Sequence, residues 1–106
     1  MKLLIVDDSM VVRETIERTA HRPEIDEIYL AENGLQAVEL FEQHRPELVT
    51  MDLTMPELDG LDCIAKIRAM DDSAAILVVS AINSHDTAMT AIERGACGFL
   101  TKPFTV

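Results

Sequence analysis

Three short stretches of this chain run apolar with little interruption: Leu3 to Val6, Leu48 to Leu53 and Ile76 to Val79. A strand with one wet face alternates apolar and polar residues, and these do not, so they read as strands covered on both sides. That condition is met by a parallel sheet between two helical layers. A weaker run, Ile28 to Ala31, fits a more exposed strand, and Gly98 to Thr101 a short last one.

The segments between the runs carry helical period. Met10, Val12, Ile16 and Ala20 form one stripe, Leu35, Val38 and Phe41 a second, Leu61, Ile64 and Ile67 a third, and Ala88, Ala91 and Ile92 a fourth. Ser9, Asn33, Asp59 and Ser84 stand where N-caps belong, Pro46 blocks continuation of the second helix, and Gly95 supplies a C-terminal stop. Four βα units and a fifth strand result, and short right-handed connections wind them into one α/β domain over residues 1–106 with helices on both faces. Thr105 stands like the N-cap of a further helix that the sequence does not contain. The final helix of a doubly wound sheet is therefore expected to be missing, leaving apolar sheet surface that calls for self-association or for more chain.

A formal charge of -10 opposes binding to nucleic acid or to an anionic membrane. Cys63 and Cys97 have no neighbours at metal-ligand spacing and read as reduced, semi-buried residues. Neither a basic leader before an apolar run nor an apolar stretch of the roughly 20 residues of a membrane helix is present, which places the chain in the cytoplasm.

In a parallel sheet the residues that follow each strand collect at one edge. Asp7 and Asp8 follow the first strand, Asp52 the third, Ser80 ends the fourth and Lys102 follows the fifth. Three carboxylates gathered there need a counter-charge, and a donor set of hard oxygens without His or Cys suits Mg²⁺. A carboxylate beside such a cation and a lysine is equipment for phosphoryl transfer, with central Asp52 as nucleophile, Lys102 as point charge on a phosphoryl oxygen and Ser80 as a hydroxyl donor. Taken singly, each residue has a plainer reading: the acidic pair as helix capping, Asp52 as a turn former, Lys102-Pro103 as an ordinary turn. The joint placement at four strand ends favours the functional one.

This ordered set resembles the receiver domain of two-component response regulators, including stand-alone chemotaxis regulators. The resemblance runs from Lys2 to Phe104 through Leu4-Ile5-Val6-Asp7-Asp8-Ser9, Met51-Asp52-Leu53, Met55-Pro56, Asp59-Gly60, Ser80-Ala81 and Lys102-Pro103-Phe104. It implies a flavodoxin-like sheet of order 2-1-3-4-5 and a phosphoryl-accepting switch rather than an enzyme, with slow self-catalysed phosphorylation and dephosphorylation. It further implies Asp52 as acceptor; Asp8, Asp52 and the Thr54 backbone carbonyl as Mg²⁺ ligands, with Asp7 acting largely through water; and a cis Lys102-Pro103 bond. The implied donor is a histidine kinase or phosphotransfer protein, so His21, His44 and His85 are expected at the surface without a chemical role. An output domain or target protein would read the switch.

The switch implied by the resemblance is Ser80 with Phe99: Ser80 moves toward the phosphoryl group and Phe99 turns into the vacated space, reshaping the surface of the fourth helix and fifth strand. Many relatives have Thr and Tyr at these positions, and Phe99 has no hydroxyl to anchor either rotamer. Thr54 and Ile82 flank the path of the hydrolytic water in relatives, and an apolar Ile82 should lengthen the life of the phosphoryl group. A haloacid-dehalogenase-type phosphatase shares the chemistry but places its nucleophile in an Asp-x-Asp after the first strand, where this chain has Asp7-Asp8-Ser9. A flavin-binding flavodoxin needs a Ser/Thr/Gly-rich loop that Ser9-Met10-Val11-Val12 does not supply. A receiver reduced to an interaction module would have lost site residues, and all are present.

Overall fold

The computed structural model describes residues 1–20, 22–53, 60–80 and 85–101. Strands and helices alternate as β1 (Lys2–Val6), α1 (Met10–Thr19), β2 (Glu27–Ala31), α2 (Gly34–His44), β3 (Leu48–Met51), α3 (Gly60–Met70), β4 (Ala75–Ser80), α4 (His85–Glu93) and β5 (Gly98–Thr101). The strands pair in parallel in the order β2-β1-β3-β4-β5, as expected. The last four residues of β1 are almost wholly inaccessible, which is why that run shows no alternation.

The two-residue period of the strands divides these side chains between two cores. Leu4, Val6, Val49, Met51, Ile76 and Val78 pack with Phe41 of α2, Ile64 and Ile67 of α3 and Ala91 of α4. Leu3 and Ile5 point the other way, against Val12 and Ile16 of α1 and Ala20 just after it. On this second side Leu48 and Leu77 are only half-buried, although their neighbours Val49 and Ile76 are fully covered.

Ser9 and Asn33 cap α1 and α2 as anticipated, their side-chain oxygens accepting from the Val12 N–H at 3.3 Å and the Gln36 N–H at 2.8 Å. Asp59 and Ser84 lie outside the described residues. Helix α2 ends at His44, two residues before Pro46, with Arg45 in the left-handed region (φ 49°) and its N–H donating to the Phe41 carbonyl at 2.8 Å. Gly95 has φ 120°, and a Cβ there would meet the Arg68 side chain, whose Nε and Nη2 both donate to the Gly95 carbonyl at 2.9 and 2.7 Å.

Several expectations are corrected. Strand β3 ends at Met51 and not at Leu53; Leu53 is buried beyond the last sheet pairing, which lengthened the apolar run. Met10, Leu35 and Ile92 belong to the predicted stripes but are exposed. On α2 the covered line is Gly34, Ala37 and Phe41, and Leu35 lies about 100° around the helix from Gly34. His44 is half-buried, with its ring stacked on Tyr29 at 4.1 Å between centroids, while Tyr29 donates its hydroxyl to Glu27. Cys63 is fully buried beside the Gly34 carbonyl and Cys97 is exposed, so neither is the semi-buried residue expected.

Two measurements follow from this packing. Phe41 has no exposed surface, so Phe41→Ala should lower stability by roughly 3–5 kcal/mol, seen as a lower urea midpoint at unchanged slope. Asp71 accepts from the Ser73 hydroxyl at 2.6 Å and the Ser73 N–H at 2.9 Å, and these bonds, assisted by Arg45 and Arg68, hold its carboxyl below the usual carboxylate range. A depressed carboxylate stabilises the fold above its unfolded value and stops doing so as pH falls through the folded one. Side-chain carbon NMR should therefore show Asp71 titrating below the usual aspartate range, with the α3–β4 turn loosening only in acid.

Candidate functional site

The carboxyl edge of the sheet is built by ladder hydrogen bonds that continue one residue past the strands. The Asp7 N–H donates to the Ala31 carbonyl at 3.0 Å and the Asp52 N–H to the Val6 carbonyl at 2.9 Å. Asp7 and Asp52 thereby stand in the first position beyond adjacent strands, 1% and 2% exposed, whereas Asp8 is open to solvent. One carboxylate oxygen from each of the three lies within 4.8 Å of the others. At that separation two unit charges repel by roughly 3 kcal/mol or more at an effective dielectric constant of about 20. Water on Asp8 relieves only part of this. A divalent cation fits the cluster: the donors are all oxygen, two are buried and one faces the solvent from which a hydrated ion arrives.

The backbone around the acids is held closely. One Asp7 carboxylate oxygen accepts from the Ser9 N–H at 2.9 Å, and the Asp7 carbonyl accepts from Arg13 Nη1 at 2.6 Å. On the other side, Gly60 opens α3 against β3, donating its N–H to the Leu53 carbonyl at 3.0 Å. A Cβ on Gly60 would lie 2.3 Å from the Asp52 carbonyl oxygen and 2.6 Å from the Leu53 Cα, so only glycine allows this approach.

Ser80 closes β4 with no exposed surface, and its register partner is Thr101, the residue before Lys102. Phe99, opposite Val78 in the same pairing, is half-buried against the larger core. Asp7, Asp8 and Asp52 are thus brought together, with Ser80 at the end of the neighbouring strand. Lys102, Pro103, Thr54 and Ile82 lie outside the described residues. Arg13 and Gly60 are the contributors that reading the sequence did not assign. The signal for Gly60 was present in Asp59-Gly60 after the acceptor; a side-chain bond to a main-chain carbonyl, as made by Arg13, leaves no sequence pattern.

The family model described as the response regulator receiver domain matches residues 3–106. The chain belongs to that family. As a receiver domain it is a phosphoryl-accepting signalling switch of the two-component type. It is 42% identical over 104 residues to the chemotaxis protein CheY of Listeria monocytogenes, covering 98% of this chain and 87% of the relative. To CheY of Bacillus subtilis it is 41% identical over 103 residues, covering 97% and 86%. Among solved structures, the CheX-CheY-BeF3-Mg²⁺ complex of Borrelia burgdorferi is similar with a TM-score of 0.94 at 29% identity, over 99% of this chain and 80% of that one. The response regulator domain of Thermotoga maritima CheB gives 0.89 at 29% identity, over 97% and 78%. The flavodoxin-like order expected from the sequence is the one observed. Receiver domains act with histidine kinases or phosphotransfer proteins, and among the described residues no helix is long and apolar enough to cross a membrane.

Proposed function

We propose that Asp52 is the phosphoryl acceptor of this receiver domain, and that Mg²⁺ is held by Asp8, Asp52 and the Thr54 backbone carbonyl, with Asp7 acting largely through water. The observation that carries the reading is the convergence of the three acidic side chains, two of them buried. The hydrogen bond from the Ser9 N–H leaves Asp7 one oxygen less for direct coordination, in keeping with a water-mediated role. The Borrelia complex, which contains beryllofluoride and Mg²⁺, supports the same chemistry for this edge of the sheet.

In the transfer, a carboxylate oxygen of Asp52 attacks phosphorus as the bond from phosphorus to the donor nitrogen breaks, and the electron pair leaves with the imidazole of the phosphohistidine. When bound, Mg²⁺ neutralises charge developing on the phosphoryl oxygens. Lys102 takes one of these oxygens as a point charge, and the Ser80 hydroxyl donates to another. Movement of Ser80 lets Phe99 turn inward, and a target or output domain reads the altered surface of α4 and β5. Half-burial of Phe99 against the core leaves it the partial exposure such a rotation needs.

The same active site accounts for slow self-phosphorylation from small phosphodonors and slow self-dephosphorylation. Ile82 hinders the hydrolytic water, so Ile82→Ala should shorten the phosphoryl half-life, followed as loss of label after the donor is removed. The domain works in the cytoplasm and binds neither nucleic acid nor membrane. Half-buried Leu48 and Leu77 mark the sheet face on which a second copy or further chain would pack, and a concentration-dependent sedimentation coefficient is the expected sign of self-association.

The reading is tested by incubating the protein with a small acyl phosphate and following its intact mass. A gain of one phosphoryl group that needs Mg²⁺ and is blocked by a chelator is expected. An unchanged mass with the metal present, under conditions where the protein is folded, overturns it.

A further inference from the structure

The loop that carries the acidic pair depends on a residue outside the proposed ligand set. The β1–β2 pairing ends at Val6 opposite Ala31, and one more ladder bond runs from the Asp7 N–H to the Ala31 carbonyl. The Asp7 carbonyl points beyond that ladder. Its donor is Arg13, reaching back from the second turn of α1 over 2.6 Å. The chain carries 19 acidic and 9 basic side chains, so carboxylates outnumber the cations that could pair with them. Arg13 instead donates to a main-chain oxygen, and neither ion pair found among the described residues includes it.

That oxygen belongs to the peptide unit joining Asp7 to Asp8. Peptide planarity means that holding it restrains ψ of Asp7 and φ of Asp8 together, and so the angle between the two carboxylates. The Ser9 N–H on the Asp7 carboxylate fixes the next peptide along. We infer that Arg13 is a positioning residue for the cation site: its guanidinium locks the Asp7–Asp8 peptide so that buried Asp7 and exposed Asp8 present oxygens to one point. The inference rests on the Mg²⁺ reading above and adds a residue to it. Groups that orient ligands in this way typically change metal affinity by 10–100-fold when removed.

Electrostatics alone points in the opposite direction. Arg13 is a cation near the site of another cation, so removing its charge would strengthen Mg²⁺ binding if charge were its whole contribution. The experiment is a Mg²⁺ titration of the metal-free protein, read from the amide NMR shifts of Asp7, Asp8 and Asp52, for the wild type, Arg13→Met and Arg13→Lys. Positioning predicts a dissociation constant about tenfold higher for Arg13→Met, with Arg13→Lys, which keeps the charge but not the planar fork, also weaker than the wild type. It also predicts faster amide exchange of Asp8 in both variants before metal is added. Unchanged or tighter Mg²⁺ binding by folded Arg13→Met overturns the inference; if that variant does not fold, wild-type affinity in Arg13→Lys does so. Failure of the wild type itself to bind Mg²⁺ refutes the metal reading on which the inference stands.

Discussion

Asp52→Asn is expected to abolish acyl-phosphate formation, leaving no detectable mass gain after exposure to a phosphodonor and Mg²⁺. The amide has nearly the same shape as the carboxylate, so it fits a site that is 2% exposed without opening a cavity. Its oxygen is a poor nucleophile, and its loss of charge removes one of the three carboxylates that converge on the cation site. Fold stability should not fall, and relief of repulsion among the acids favours a small increase. The pairing of lost phosphorylation with retained or raised urea resistance separates a chemical role for Asp52 from a structural one. Loss of both together would indicate that the residue holds the β3 end in place.

Gly60→Ala is the second large effect. The added methyl would stand 2.3 Å from the Asp52 carbonyl oxygen and 2.6 Å from the Leu53 Cα, and both obstacles are backbone. Relief requires α3 to retreat or the end of β3 to shift. Overpacking of this kind typically costs about 1–3 kcal/mol, occasionally more, and here the displaced group is the main chain of the proposed acceptor. A drop in the urea midpoint should therefore accompany weaker Mg²⁺ binding and slower phosphorylation. Gly98→Ala is the control: its nearest obstacle is a terminal methyl of Leu77 at 3.0 Å, which can rotate away, so both readouts should change much less. Equal behaviour of the two variants would remove any special link between Gly60 and the site.

The parallel sheet and its strand ends were legible because β1 is covered on both faces and shows it as an unbroken apolar run. A polar residue at the end of such a run has only the carboxyl edge of the sheet to occupy, so the sequence alone gathers Asp7, Asp52 and Ser80 there. Other features depend on contacts between distant parts of the chain. Leu35 fits an apolar stripe on hydropathy alone, but the rotation of α2 that buries Ala37 and Phe41 turns it to solvent. His44 looked like a surface residue until the fold brought Tyr29 of β2 under its ring. Arg13 binds a carbonyl, which every residue possesses, so no choice of side chain at Asp7 announces the bond.

Two helices have distinct duties at the carboxyl edge. Helix α1 holds the peptide of the acidic pair through Arg13, and α3 abuts the acceptor's main chain through Gly60. The main chain around both acids is thereby held by contacts from these two helices.

The most direct measurement of the proposed acceptor uses borohydride, which reduces an aspartyl phosphate to homoserine, on protein phosphorylated with Mg²⁺ and a small acyl phosphate, followed by peptide mass mapping. Homoserine at position 52, absent when metal is chelated, is the predicted result. Homoserine at position 7 or 8, or a phosphoryl group retained on histidine with residue 52 unmodified, would contradict the account.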